Sequence, residues 1–286
     1  MVLTKGGRNT TLIQASIANN GNSVILIADR LLTSRIGRDE TLQYEFEWNQ
    51  EKIFYVENVG VGFAGAAIFA DKAEKEVRKK SKNKDLTSII NAISKYIKNE
   101  KKEIINQFIF NETGIASSAE FFTKVSLPIP EPVRGSIYTY ISELSNMLNF
   151  ACIVCGFDKN NHCKLVAIDN DGKIYDMTNF GSVQIGSGDT FSRIYFDLNC
   201  YKTSVSLSEG LFFAYKAKKW AEAPTGVGYC TDIFILQKNE KPLLITDDSP
   251  LMNKINSIHK EELENHNETK NKLIKKIENI LKDVKK

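Results

Sequence analysis

Residues 6–16 read GGRNTTLIQAS and set two threonines, Thr10 and Thr11, at the head of an apolar run. Leu12, Ile13, Ala15 and Ile17 predict a β-strand, and threonine suits the edge of one. A strand that opens on threonine also has a chemical reading. A threonine that becomes the first residue of a processed chain carries a hydroxyl nucleophile together with its own α-amine as base.

Outward from this strand, residues 11–18 and 24–29 flank NNGNS, a hairpin signal. Polar residues 33–51 then separate the hairpin from two further strands, KIFYVEN and VGVGFAG. Helical spacing follows, weak at Ile68, Ala73 and Val77 and strong at Leu86, Ile89, Ile90, Ile93 and Ile97, with Asp85 as its cap. Residues 111–135, with PIPEP and many small polar residues, read as a loop or insertion. Strands resume with FACIVCGF, KLVAIDN and KIYDMT, the last two joined by an Asp-Gly turn. VQIGSGDT reads as strand, tight turn and helix start, and Ser206 with Glu209 forms a capping box for a helix reaching about Trp220. TDIFILQK and PLLIT close the strand set. From about Asn253, Lys and Glu surround Leu273, Ile277, Ile280, Leu281 and Val284, the pattern of a solvated amphipathic helix. The order predicts an α+β fold, a four-layer αββα sandwich with two antiparallel sheets between helical layers.

The bulk properties narrow the function. The 286 residues carry a net charge of +3, too small to argue for a nucleic-acid or membrane surface. No apolar run approaches the roughly 20 residues of a membrane span, and MVLTKGGRNTT lacks a signal-peptide core, so a cytoplasmic location is expected. Five scattered cysteines do not make a disulfide framework. Cys152 and Cys155 spell C-x-x-C within a strand, where residues three apart face opposite sides, so neither a shared metal nor any other cofactor is expected. His162, His259 and His266 fall in a turn-like loop and a charged tail, poor places for a Ser-His or Cys-His pair. An enzyme built this way needs a base other than imidazole.

The motifs and their order resemble the proteasome β-type family of N-terminal-nucleophile hydrolases, including its bacterial two-tier relative. The likeness runs from Thr10 to about Gln237. TTLI is similar to the family's mature start, which makes Thr10 the nucleophile. Asp29 in VILIADR sits like the acid at the end of the second strand, and Lys52 in EKIFYV like the catalytic lysine. GFAG resembles the turn whose glycine amide forms the oxyanion hole, here Gly65, with Phe63 and Ala64 beside the substrate pocket. IGSGDT places Ser187 next to the nucleophile, and EAPTGVGYCTDIFIL supplies Glu222 and Thr225 as the acid and hydroxyl of the last motif.

The chain departs from the family pattern in three ways. Arg8-Asn9 precedes Thr10 where the family has glycine, Glu222 replaces aspartate, and the Asp29–Lys52 spacing is longer. Counting Asn9 as the first position would put Ile13, Ala15 and Ile17 on the wrong face of the strand. Because a strand alternates its faces, Thr11 is expected to turn away from the cleft that Thr10 enters.

The resemblance implies a division into a lead at residues 1–9, a hydrolase domain at 10–250 with insertions near 34–51 and 111–147, and a charged helical tail at 251–286. It implies a threonine peptidase in a homo-oligomeric ring acting on peptide or protein substrates, with a separate unfoldase or α-type subunit as a candidate partner. A non-catalytic ring subunit, or an amidase or transpeptidase on the same fold, is the alternative. The chemistry suits the residue types. An α-amine with an ordinary pKa of about 8 can take the hydroxyl proton, and a lysine ammonium nearby favours its neutral form.

Overall fold

The computed structural model describes residues 11–36, 42–47, 51–65, 67–80, 85–123, 129–147, 150–223 and 227–284. Strands β1 (Ile13–Ala18) and β2 (Ser23–Asp29) form the expected hairpin around Asn19–Gly21. Asn19 and Asn20 both take positive φ there, a conformation asparagine tolerates better than most residues. β3 (Leu31–Ile36) and β4 (Leu42–Glu47) form a separate two-stranded pair. The polar stretch 33–51 is therefore not strandless. Leu42, Tyr44 and Phe46 alternate with Gln43, Glu45 and Glu47, and that period of two wins over the high charge content.

β5 (Ile53–Val56) and β6 (Val59–Gly65) lead into α1 (Ala67–Lys80) and the long helix α2 (Leu86–Thr113). Asp85 caps α2, its side chain accepting from the Ser88 amide, and Gly114 ends it in the left-handed region. The stretch 111–135, expected as a loop, instead holds α3 (Ser118–Thr123) and the start of α4 (Glu131–Met147). Pro130 and Pro132 do not prevent this, because proline is compatible with a helix's first turn. Ile109, Phe121, Ile137 and Ile141 give these helices a small core of their own.

β7 (Phe150–Phe157), β8 (Cys163–Ile168), β9 (Ile174–Asp176) and β10 (Ser182–Ile185) follow, then α5 (Asp189–Leu198), α6 (Leu207–Ala221), β11 (Thr231–Gln237) and β12 (Leu243–Ile245). The strands make two five-stranded antiparallel sheets, ordered β10-β1-β2-β11-β12 and β5-β6-β7-β8-β9. Ile13, Ala15, Ile17, Leu26 and Phe234 of the first sheet pack on Ile153, Cys155 and Leu165 of the second. The other face of the second sheet packs Phe63, Cys152 and Val154 against Ile89, Ile93 and Val77 of α1 and α2. α5 and α6 cover the other face of the first sheet. The four-layer αββα sandwich is thus the observed fold.

The sheets meet closely at Gly60 and Gly62. A Cβ there would lie 2.5 Å from the Phe234 ring and 2.6 Å from Ile13 Cγ2. Gly60 and Gly62 of VGVGFAG are accounted for by that approach. Cys152 and Cys155 fall on opposite faces of β7, one in each core.

Residues Met1–Leu244 make one compact unit and Ile245–Lys286 a second, which contains the 35-residue helix α7 (Pro250–Val284). No helix among the described residues is long and apolar enough to cross a membrane.

Candidate active site

The sheet register gathers the site at one end of the first sheet. Ile13, the first residue of β1, pairs with Ala28 near the end of β2 and with Ile185 at the end of β10. Residues 11–12, Asp29 and the turn 186–188 therefore come together by strand pairing alone. The second sheet brings Lys52, which immediately precedes β5, to the same place.

Lys52 is buried, and its Nζ donates three hydrogen bonds: to Thr11 Oγ1 at 2.6 Å, to Asp29 Oδ1 at 2.9 Å and to the Leu31 carbonyl at 2.6 Å. An ammonium has three N–H groups and no acceptor, so this arrangement uses its full capacity. Held so, Lys52 has no lone pair with which to take a proton.

Asp29 is fully buried and accepts four hydrogen bonds. Oδ1 takes Lys52 Nζ and the Leu12 amide at 2.9 Å; Oδ2 takes the Gly228 amide at 2.9 Å and the Leu31 amide at 3.2 Å. Burial of a carboxylate is tolerable only when it is paired and bonded in this way. With every oxygen lone-pair direction engaged, Asp29 fixes where the Lys52 ammonium sits.

The threonine beside Lys52 is Thr11, so the expectation that Thr11 turns away from the cleft is corrected. Ile13, Ala15 and Ile17 face the second sheet, and Thr11 has their parity. Leu12 goes the other way, packing with Ala221 and Val227. The sequence shows that the odd-numbered residues share a face, but not which face meets Lys52. Thr10 and the lead at residues 1–9 lie outside the described residues.

Ser187, expected next to a Thr10 nucleophile, lies against Thr11. The Thr11 amide donates to Ser187 Oγ at 3.1 Å, and Ser187 Oγ donates to the Thr11 carbonyl at 3.4 Å. The Gly188 amide reaches the same carbonyl at 3.2 Å. Gly186 has φ +101°, and a Cβ on it would stand 2.2 Å from the Thr11 carbonyl oxygen. Only a residue without a side chain fits there. Gly186→Ala is expected to lower the melting temperature and displace the Thr11 carbonyl, seen as loss of Gly188 amide protection in hydrogen exchange. Both follow from the strained φ and the backbone clash together.

Gly65 ends β6 with φ +114°. The Phe63 amide donates to the Lys52 carbonyl at 3.0 Å, so the end of β6 lies alongside Lys52, and Gly65 follows two residues later. Phe63 and Ala64, expected beside the substrate pocket, are instead core residues. Phe63 stacks between Phe54 and Phe150 and is 3% exposed, while Ala64 packs between the sheets. Strand alternation through β6 buries both of them, one in each layer.

Glu222 is not brought to Thr11. It sits at the end of α6 and pairs with Lys218 and, at 2.9 Å, with Lys219. Thr225 lies outside the described residues. The residue that sequence reasoning missed is Lys218. Its side chain is fully buried, and its Nζ donates to the Gly228 carbonyl at 2.7 Å and the Tyr229 carbonyl at 2.9 Å as well as to Glu222. A signal was available: Gly210, Ala214, Ala217 and Ala221 mark the buried stripe of α6, and Lys218 stands four residues after Ala214 on it.

The buried cysteines Cys152, Cys155 and Cys163 are poor competitors for an electrophile. Burial alone holds the Cys152 thiol far above its ordinary range, and burial is the leading cause for Cys155 as well. Burial likewise pushes Cys163 up to about 12. Cys200 is exposed. A thiol-disulfide reagent at pH 8 should therefore modify Cys200 in the native protein and reach Cys152, Cys155 and Cys163 only on unfolding.

No protein-family model matches the sequence, and no curated protein matches it. Among solved structures the chain is similar to Anbu (ancestral beta-subunit) from Yersinia bercovieri, with TM-score 0.56 and 13% identity over 88% of this chain and 94% of that one. At that identity the likeness carries the fold alone, the αββα sandwich described above.

Proposed function

We propose that this chain is an N-terminal-threonine hydrolase that cleaves amide bonds in peptides, with Thr11 as nucleophile once residues 1–10 are removed. The observation that carries this reading is the hydrogen bond from a buried, Asp29-paired Lys52 ammonium to Thr11 Oγ1. An ammonium so placed stabilises the alkoxide that forms as the hydroxyl loses its proton, and it leaves the proton itself to another group. The freed α-amine of Thr11 is that group. Lys52 favours the amine's neutral form by charge repulsion, and Ser187 Oγ lies 3.1 Å from the nitrogen.

In the reaction, Thr11 Oγ1 adds to the substrate carbonyl carbon as its proton passes to the α-amine. The backbone amide of Gly65 donates to the oxyanion, a contribution of about 3 kcal/mol for one such donor. The tetrahedral species collapses to an ester as the leaving amine takes the proton, and water then releases the acid and restores the hydroxyl. In processing no free α-amine exists yet, so as Thr11 Oγ1 adds to the Thr10 carbonyl carbon its proton passes through a water molecule to the Thr11 nitrogen. The C–N bond then breaks, which frees the amine and leaves residues 1–10 as an ester on Oγ1, and water hydrolyses that ester to release them and restore the hydroxyl. Assembly of several copies into a ring belongs to this reading and is measured by the molar mass in solution.

Intact mass tests the proposal. Active protein should begin at Thr11, and a β-lactone probe should add once, on that residue. Active protein that still carries residues 1–10, or an adduct on Ser187 or a cysteine, would overturn it.

A further inference from the structure

Asp29 orients Lys52, but something must in turn hold Asp29. Three of its four donors lie within 23 residues of it in the chain: the Leu12 and Leu31 amides and Lys52 itself. The fourth is the Gly228 amide, 199 residues away in the chain, on the segment that leads into β11. That segment carries two adjacent carbonyls, of Gly228 and Tyr229, and Lys218 Nζ binds both at 2.7 and 2.9 Å. Lys218 is anchored from the other side by Glu222, one helical turn further along α6. A continuous line of hydrogen bonds therefore runs from Glu222 through Lys218, the Gly228 peptide, Asp29 and Lys52 to Thr11 Oγ1.

Placing a lysine where no part of its side chain meets solvent is costly, and the low-dielectric surroundings pull its pKa down, although Glu222 opposes that shift. A leucine or methionine at this helix position would fill the same space without that cost. The return is geometric. An ammonium that ties the Gly228 and Tyr229 carbonyls holds the backbone immediately after the Gly228 N–H, with that N–H directed at Asp29.

From this the geometry points to Lys218 as a positioning residue: it fixes the Gly228 segment so that its amide caps Asp29 and thereby sets the Lys52 ammonium on the nucleophile. The inference rests on the hydrolase reading for its effect on catalysis, but not for its effect on Asp29. Lys218 touches neither Thr11 nor Lys52 directly, so it is not a catalytic residue.

The test uses the processed full chain with Lys218→Met, which keeps the length of the side chain and removes its donors. Lys218→Gln, which keeps a single polar head, serves where the methionine variant does not fold. Two readouts are taken: amide hydrogen exchange at Gly228 against the amides of β1 and β2, and the kinetics of peptide cleavage. The expected result is at least tenfold faster exchange at Gly228 with β1 and β2 unchanged, and a tenfold or larger fall in kcat with KM preserved. Unchanged Gly228 protection in the folded variant would overturn the inference. So would an equal acceleration across β1, β2 and Gly228, which is the mark of a residue that merely contributes packing. If the wild-type protein cleaves nothing and Thr11 takes no probe, the hydrolase reading fails alone, and Gly228 exchange still decides the role of Lys218.

Discussion

Thr11→Ala should abolish covalent labelling by a β-lactone or epoxyketone and lower peptide cleavage by at least about a thousandfold, because it removes the atom that forms the bond. Thr10→Ala should keep the label, which separates the two neighbouring threonines in one experiment. Thr11→Ser should retain part of the activity, since hydroxyl and amine both survive while the methyl group that restrains χ1 is lost. The stability effect of Thr11→Ala is modest by comparison. Lys52 Nζ loses one of three acceptors but keeps Asp29 and the Leu31 carbonyl, so the cost is about 1–3 kcal/mol for a hydrogen bond to a charged group. Labelling followed by peptide mapping, beside a urea unfolding curve, measures both. A label that moves to Thr10 in wild-type protein would return the nucleophile to the first threonine.

Lys52→Met should be nearly as damaging to activity and more damaging to stability. Loss of the ammonium removes the charge that stabilises the Thr11 alkoxide, and cleavage should fall at least about a hundredfold. It also strands Asp29, which is fully buried, without its counter-charge. Breaking a buried pair from one side costs about 3–5 kcal/mol, and the lower end applies here because three backbone amides still bond Asp29. Adding Asp29→Asn to Lys52→Met should recover only part of the stability and none of the activity, because it removes the buried charge but turns an amide Nδ2 toward backbone N–H groups that the carboxylate accepted. That combination distinguishes a charge that serves chemistry from one that serves only the fold. Lys52→Arg should rescue little, because three acceptors at 2.6–2.9 Å surround one compact nitrogen and a planar guanidinium cannot meet all three. Near-normal turnover in Lys52→Met would remove Lys52 from the mechanism.

Much of the architecture was legible in local chemistry. The cap of α2 at Asp85, the capping box at Ser206 and Glu209, and the NNGNS hairpin are short-range features whose physics is complete within a few residues. The strand order that predicts two packed sheets belongs to the same class. Two local signals compete with stronger contrary ones beside them. The Leu42-Tyr44-Phe46 alternation lay under many charges, and the proline pair 130 and 132 suggested a break where it starts a helix.

The sequence by itself determined the sandwich and set out, in chain order, Asp29, Lys52 and Ser187 as candidates that the fold then gathers. Tertiary structure alone decided which threonine meets them. Alternation assigns Thr10 and Thr11 to opposite faces but is symmetric between the faces, and only the packing of the second sheet, with Lys52 ahead of β5, breaks that symmetry in favour of Thr11. The same holds for Lys218. A lysine on a helix is usually solvated, and what makes this one part of the site is the return of residues 228 and 229 over α6, a contact that spacing within the helix does not encode.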